Sequence, residues 1–190
     1  MATLGTTGTA PNFYNVQGGG YGFRSKAYTM PSNGTVATIH FYGQSLQTYG
    51  FNVKGIIWQS SNGAVVTNAV SEPVSLENVP LAWYSMSFST PPELVVDTSY
   101  WFGVVNSWPG DGLTGFYYYS SGGTGNAVDS GTGYASPGTY SGNSQNGGDF
   151  SVYITYEAAA SGYGNKILGS DNVGKFHTVD VADIGKVYNV

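Results

Sequence analysis

Phe150-Ser151-Val152-Tyr153-Ile154-Thr155-Tyr156 alternates large apolar residues with hydroxyl-bearing ones along its whole length. Side chains of a strand point to opposite faces with a period of two. Phe150, Val152, Ile154 and Tyr156 therefore share one face, and Ser151, Tyr153 and Thr155 share the other. That is a strand with one side in a core. Residues 35–42 repeat the pattern, with Ala37, Ile39 and Phe41 on one face and Val36, Thr38, His40 and Tyr42 on the other, which puts His40 on the more polar side. Further strands are expected at 23–28, 51–58, 64–70, 82–88, 100–106 and 115–119. Asn33-Gly34 and Asn62-Gly63 are expected to be tight turns, because Asn and Gly accept the positive φ that hairpins require. The 100–106 segment differs: Tyr100, Trp101, Phe102, Val104 and Val105 make it apolar on both faces, as in a central strand covered on both sides or an interface strand. Many short strands, frequent turns and no convincing helical window predict an all-β, antiparallel β-sandwich. Residues 120–148, rich in Gly, Ser, Thr and Asn, read as a long surface loop with one short strand near Tyr134.

Composition supports the same class. Only 9% of the 190 residues are charged, against roughly 25% in ordinary soluble domains. With 29 Gly, 8 Pro and 16 Tyr, the chain is too rich in breakers for a helical bundle, while 15% aromatic residues supply the apolar surface that disordered chains lack. The net charge of −5 leaves no basic field for phosphates, so nucleic acid is not an expected partner. The chain has no cysteine, hence no disulfide and no thiolate chemistry. Residues 1–9 carry neither a basic n-region nor an apolar h-region, and no stretch reaches the length of an apolar membrane span. Neither a Sec-type signal nor membrane insertion is therefore expected.

Four parts are expected along the chain: an N-terminal arm at 1–20, a sandwich at 21–157, a small-residue linker at 158–164 and a tail at 165–190. The tail contains a repeat. Val173-Gly174-Lys175-Phe176 aligns with Ile184-Gly185-Lys186-Val187 at a spacing of eleven residues, and Lys166-Ile167-Leu168-Gly169 is a less regular third copy. Its basic residues Lys166, Lys175 and Lys186 balance Asp171, Asp180 and Asp183, so the body carries the whole −5. Apolar residues are few, chiefly Ile167, Leu168, Val173, Phe176, Val179, Ile184 and Val187. They are too few for a separate core, so the tail is expected to assemble with copies of itself around a three-fold axis, with Lys175 and Lys186 paired to Asp residues at the rim.

Two stretches resemble known families. Lys54-Gly55-Ile56-Ile57-Trp58 through Asn62-Gly63, then 83–88, then Leu94 to Phe102 with Thr98-Ser99-Tyr100-Trp101, and finally 150–156, resemble a jelly-roll β-sandwich domain of phage structural proteins and extracellular proteins. The tail resembles the repeated Ile-Gly-Lys-Val-x-x-Val endings of phage virion proteins, although Phe176 and His177 depart from that pattern. These resemblances imply a non-enzymatic structural virion protein of a tailed phage: a capsid decoration or head-fibre component, made in the host cytoplasm. Its partners would be other copies of itself, as a homotrimer, and major capsid or other virion proteins.

No catalytic motif stands out. His40 and His177 lie in no Gly-x-Ser-x-Gly or His-Glu-x-x-His pattern, and both read as surface or packing residues. Carboxylates such as Glu72 with Glu77, or Asp111 with Asp129, read as solvating loop acids. No cofactor and no metal site are expected, since nothing resembles a Ca²⁺ loop. The chemical alternative is glycan binding, as a carbohydrate-binding module or adhesin domain. Trp83 is out of phase with Ala82, Tyr84, Met86 and Phe88 on its strand and so faces solvent, where Trp108 and Asp111 of a neighbouring loop are expected to join it in contacting a surface glycan.

Overall fold

The computed structural model describes residues 1–15, 22–45, 52–107, 114–119, 127–129, 133–140 and 149–159, with the backbone alone at 13–15, 114–119 and 127–129. Trp108, Asp111 and everything from 160 onward, including the repeat tail, lie outside the described residues. In chain order the strands are β1 (Ala2–Gly5), β2 (Asn12–Asn15), β3 (Gly22–Thr29), β4 (Gly34–Ser45), β5 (Asn52–Gln59), β6 (Val65–Val70) and β7 (Val74–Ser75). They continue with β8 (Val79–Ser87), β9 (Glu93–Leu94), β10 (Ser99–Asn106), β11 (Thr114–Tyr119), β12 (Ala127–Asp129), β13 (Asp149–Phe150) and β14 (Val152–Ala158). Every strand expected from the pattern is present except the short one near Tyr134. The additional strands are the short ones.

The strands form two antiparallel sheets that pack face to face. In the larger, β4 lies between β14 and β8 over Thr38–Phe41, giving the order β1-β14-β4-β8, with β9 and β11 also on β4 and with β2 and β13 on β11. The smaller runs β12-β3-β10-β5-β6, with β7 beside β5. The chain passes from β1 to β3 in the opposite sheet, back to β4, over to β5 and its hairpin partner β6, back to β8, over to β10, and home to β14 between β1 and β4. That is the jelly-roll order, in which Greek-key crossovers stitch two sheets into one sandwich. The apolar-both-faces strand is β10, and it is central, flanked by β3 and β5.

Between the sheets, Phe23, Ile57, Phe102 and Val104 from one side meet Ile39, Phe41, Met86 and Ile154 from the other, all essentially excluded from water. Burying each such side chain is worth about 1.5–3 kcal/mol. Phe23 meets Phe150 edge-on at 5.5 Å, so the alternating face of the 150–156 segment does enter the core. That segment is divided at Ser151, which is fully buried beneath the N-terminal crossing: its Oγ accepts from the Ala10 amide at 3.1 Å and donates to the Gly8 carbonyl at 2.8 Å.

Three local expectations need correction. Val36 is fully buried in the core rather than on the polar face of β4. Thr38 pairs with Thr155 but Val36 with Tyr156, so Ala37 is the extra residue of a β-bulge, which shifts the phase by one. Asn33-Gly34 is no hairpin turn, because β3 and β4 belong to different sheets. Gly34 sits inside β4, where a Cβ would come within 2.5 Å of the Tyr156 ring, and Asn33 Oδ1 accepts from the Val96 amide at 2.8 Å. By contrast Asn62-Gly63 does turn the β5–β6 hairpin, with Gly63 at φ +72° and the Gln59 amide bonded to the Ala64 carbonyl at 2.8 Å. Finally, around Tyr134 the chain bends without forming a strand, and among the described residues of 120–148 a short strand lies at Ala127–Asp129 instead.

Candidate functional site

The sandwich has two outward faces. On the smaller sheet, odd-even alternation sends Trp58, Ile56, Trp101, Val105 and Arg24 away from the inter-sheet core, and residues 133–140 lie across them. Trp58 Nε1 donates to the Gly138 carbonyl at 3.2 Å, and the Tyr140 ring meets Trp58 edge-on at 5.2 Å. The Tyr140 amide donates to the Gly63 carbonyl at 2.8 Å, which ties this strap to the hairpin turn. Arg24 places its guanidinium 3.9 Å from the centre of the Trp101 ring and 5.2 Å from that of Tyr140, and burial lowers its pKa from the ordinary value. Lys54 sits 4.5 Å above the Tyr134 ring.

At the sandwich edge, Asp149 accepts from Thr6 Oγ1 at 2.6 Å and from the Tyr28 hydroxyl at 2.9 Å, and pairs with Lys26 at 3.1 Å. Burial pushes the Tyr28 phenol well above its usual range. These groups are bonded to one another and fasten the chain start to β3 and β13.

The larger sheet's outer face is different. Across β8, β4 and β14 the register sets Trp83 opposite Tyr42, Ser85 opposite His40 and His40 opposite Tyr153, with Thr38 opposite Thr155. Their inward neighbours Phe41, Met86, Val152 and Ile154 fill the core, so these residues point out by alternation. The rings touch. His40 stacks on Tyr153 at 4.3 Å with 9° between planes, Trp83 meets Tyr153 edge-on at 4.9 Å, and Tyr42 lies 5.4 Å from Trp83. His40 is hydrogen-bonded at both nitrogens, Nδ1 to Ser85 Oγ and Nε2 to Thr38 Oγ1, each at 2.7 Å, and Thr38 Oγ1 continues to Thr155 Oγ1 at 2.5 Å. Burial lowers the His40 pKa below 6.5. His40, Tyr42, Trp83 and Tyr153 are each half-buried.

Of the glycan-contact candidates, Trp83 lies in this array, while Trp108 and Asp111 are outside the described residues. Glu72 and Glu77 are both exposed. Sequence reasoning passed over Tyr42 and Tyr153 as ligand-contacting residues and took His40 as a surface or packing residue. The signal was the shared outward phase of 35–42 and 150–156; what brings them together is the β14–β4–β8 pairing, which the sequence does not display. No family model matches the chain, and a comparison with curated proteins found no relative.

Proposed function

We propose that the protein is a non-enzymatic structural component of a tailed-phage virion, a capsid decoration or head-fibre protein whose jelly-roll body is displayed while residues 165–190 attach it to neighbouring copies and to the capsid. The observation that supports this reading is the strand order β1-β14-β4-β8 against β3-β10-β5-β6, the architecture implied by the resemblance to phage structural domains. Fold alone does not determine function, so the test is assembly itself. Deleting residues 165–190 should leave a folded sandwich that neither trimerises by light scattering nor co-sediments with particles. A truncated chain that still assembles and binds capsids would refute the anchoring role.

A second reading, a carbohydrate-binding module or adhesin domain, is favoured by the half-buried array of Tyr42, Trp83, Tyr153 and His40. One molecule can combine both roles, with the tail as anchor and the sheet face as contact to a host-surface glycan.

A further inference from the structure

This inference rests on the glycan reading and gives it a place and a ligand class. We propose that the outer face formed by β8, β4 and β14 binds a neutral oligosaccharide. The C–H faces of pyranose rings would lie against Trp83 and Tyr153, and the sugar hydroxyls would bond to the ends of the Ser85–His40–Thr38–Thr155 chain.

Three observations carry it. The first is charge. Arg24, Lys26 and Lys54, the basic residues outside the tail, lie on β3 and β5 of the opposite sheet. Of the described carboxylates, Glu72 borders the face at the β8 edge, its amide bonded to the Ser87 carbonyl at 2.8 Å, while Glu93 and Glu157 pair with Thr35, five residues along β4 from His40 and so roughly 17 Å away. Among the described residues, positions 38, 40, 42, 83, 85, 153 and 155 themselves carry no carboxylate, ammonium or guanidinium group that would select a charged ligand.

The second is chemistry. The outward positions 38, 40, 42, 83, 85, 153 and 155 hold rings and hydroxyls, with the exposed Leu81 as an aliphatic neighbour two residues from Trp83. Small-molecule sites combine ring surface with a few placed polar groups. Trp83 and Tyr153 stand 68° apart, and His40 covers one face of the Tyr153 ring.

The third is the hydrogen-bond chain. A neutral imidazole donates from one nitrogen and accepts at the other. With the proton on Nδ1, Thr155 donates to Thr38, Thr38 donates to Nε2, and the Ser85 hydroxyl is left to donate outward. With the proton on Nε2 the direction reverses and Thr155 becomes the outward donor. In each case one end offers a proton and the other a lone pair. A sugar hydroxyl, which both donates and accepts, is matched by either end.

The test uses the full chain in native gels cast with dextran, galactomannan, xyloglucan or mannan, with heparin as the anionic comparison. At least one neutral polysaccharide should retard the wild type. Trp83→Ala and Tyr153→Ala should abolish that retardation, and Ser85→Ala should weaken it. Ser85→Ala removes one exposed hydroxyl and keeps the test decisive if a ring variant unfolds. Retardation by none of the neutral polysaccharides, or by heparin alone, overturns both the glycan reading and this site. Retardation that survives all three face variants overturns the site and leaves glycan binding to another surface. Self-association lost in Trp83→Ala without any polysaccharide effect would make the face a protein interface and overturn the proposal.

Discussion

Both outer faces of the sandwich carry rings among the described residues, yet Trp58 is completely buried on one and Trp83 half-buried on the other. The difference comes from what the chain lays over them. Residues 133–140 supply the smaller sheet with a carbonyl for the Trp58 indole, a ring to meet it and a second face for Arg24. A cation that would lose its hydration under such a cover is acceptable because two aromatic faces replace part of it. The larger sheet has no such strap among the described residues over β4, β8 and β14. There the rings pack on one another, and the polar ends of Ser85 and Thr155 stay available. Aromatic content by itself therefore distinguishes nothing; the presence of a cover separates a second core from a contact surface.

The sharpest way to break this comparison is Trp58→Ala. It removes the largest buried side chain and the donor to Gly138, and should cost about 3–5 kcal/mol in denaturant unfolding, by the usual range for a buried ring. A loss near zero would mean that the strap does not cover this face in solution. Arg24→Met comes next. It keeps the stem but removes the charge stacked on Trp101, and should cost about 2 kcal/mol, the upper range for a desolvated cation–ring contact. Arg24→Lys should recover little, because an ammonium lacks the planar stacking surface.

The same contrast explains which parts of the structure were legible in the sequence. Alternation in 150–156 and 35–42, and two-sided apolarity in 100–106, stated the sandwich and its central strand, because burial on one or two faces writes itself into residue type. Ala2–Gly5 and Glu93–Leu94 are strands by backbone pairing alone, and so short a run carries no period. The Ala37 bulge was invisible for a related reason: one inserted residue shifts phase without changing composition, and Val36 changes sides. For the candidate site, the phase of Trp83 was readable from β8 alone. Its meeting with Tyr153, seventy residues away, depends on which strands flank β4, and long-range pairing leaves no local trace.

Trp83→Ala sharpens the comparison from the open side. The ring contacts Tyr42 and Tyr153 but seals no core, so the expected loss is about 1 kcal/mol, the scale of one exposed aromatic pair. Run beside Trp58→Ala in the same urea titration, it should give a clearly smaller midpoint shift. Equal shifts would show that both faces are covered and remove the basis for a contact surface.

The smallest expected effect is a pH dependence carried by His40. The groups facing it are the Tyr153 ring and the hydroxyls of Thr38 and Ser85, with Trp83, Tyr42 and Thr155 beyond; no charged side chain among the described residues adjoins it to stabilise an imidazolium. Burial therefore holds its pKa below 6.5 in the folded chain, while in the unfolded chain it titrates near the ordinary value. The unfolded state then binds the proton more readily than the folded one. The stability this contributes is fully present above about pH 6.5 and is lost as pH falls through the lower folded pKa. Because the ring is only half-buried, the slope should be shallow. Comparing urea midpoints at pH 7.5 and 5.5 for the wild type and His40→Gln isolates it from the carboxylates and from His177, which both proteins share. The wild type should lose more stability on acidification than the variant. An identical loss, or an imidazole NMR titration of His40 centred at or above 6.5, would show that the ring is hydrated like a free one, and that the face is more open than the packing of Tyr153 against it implies.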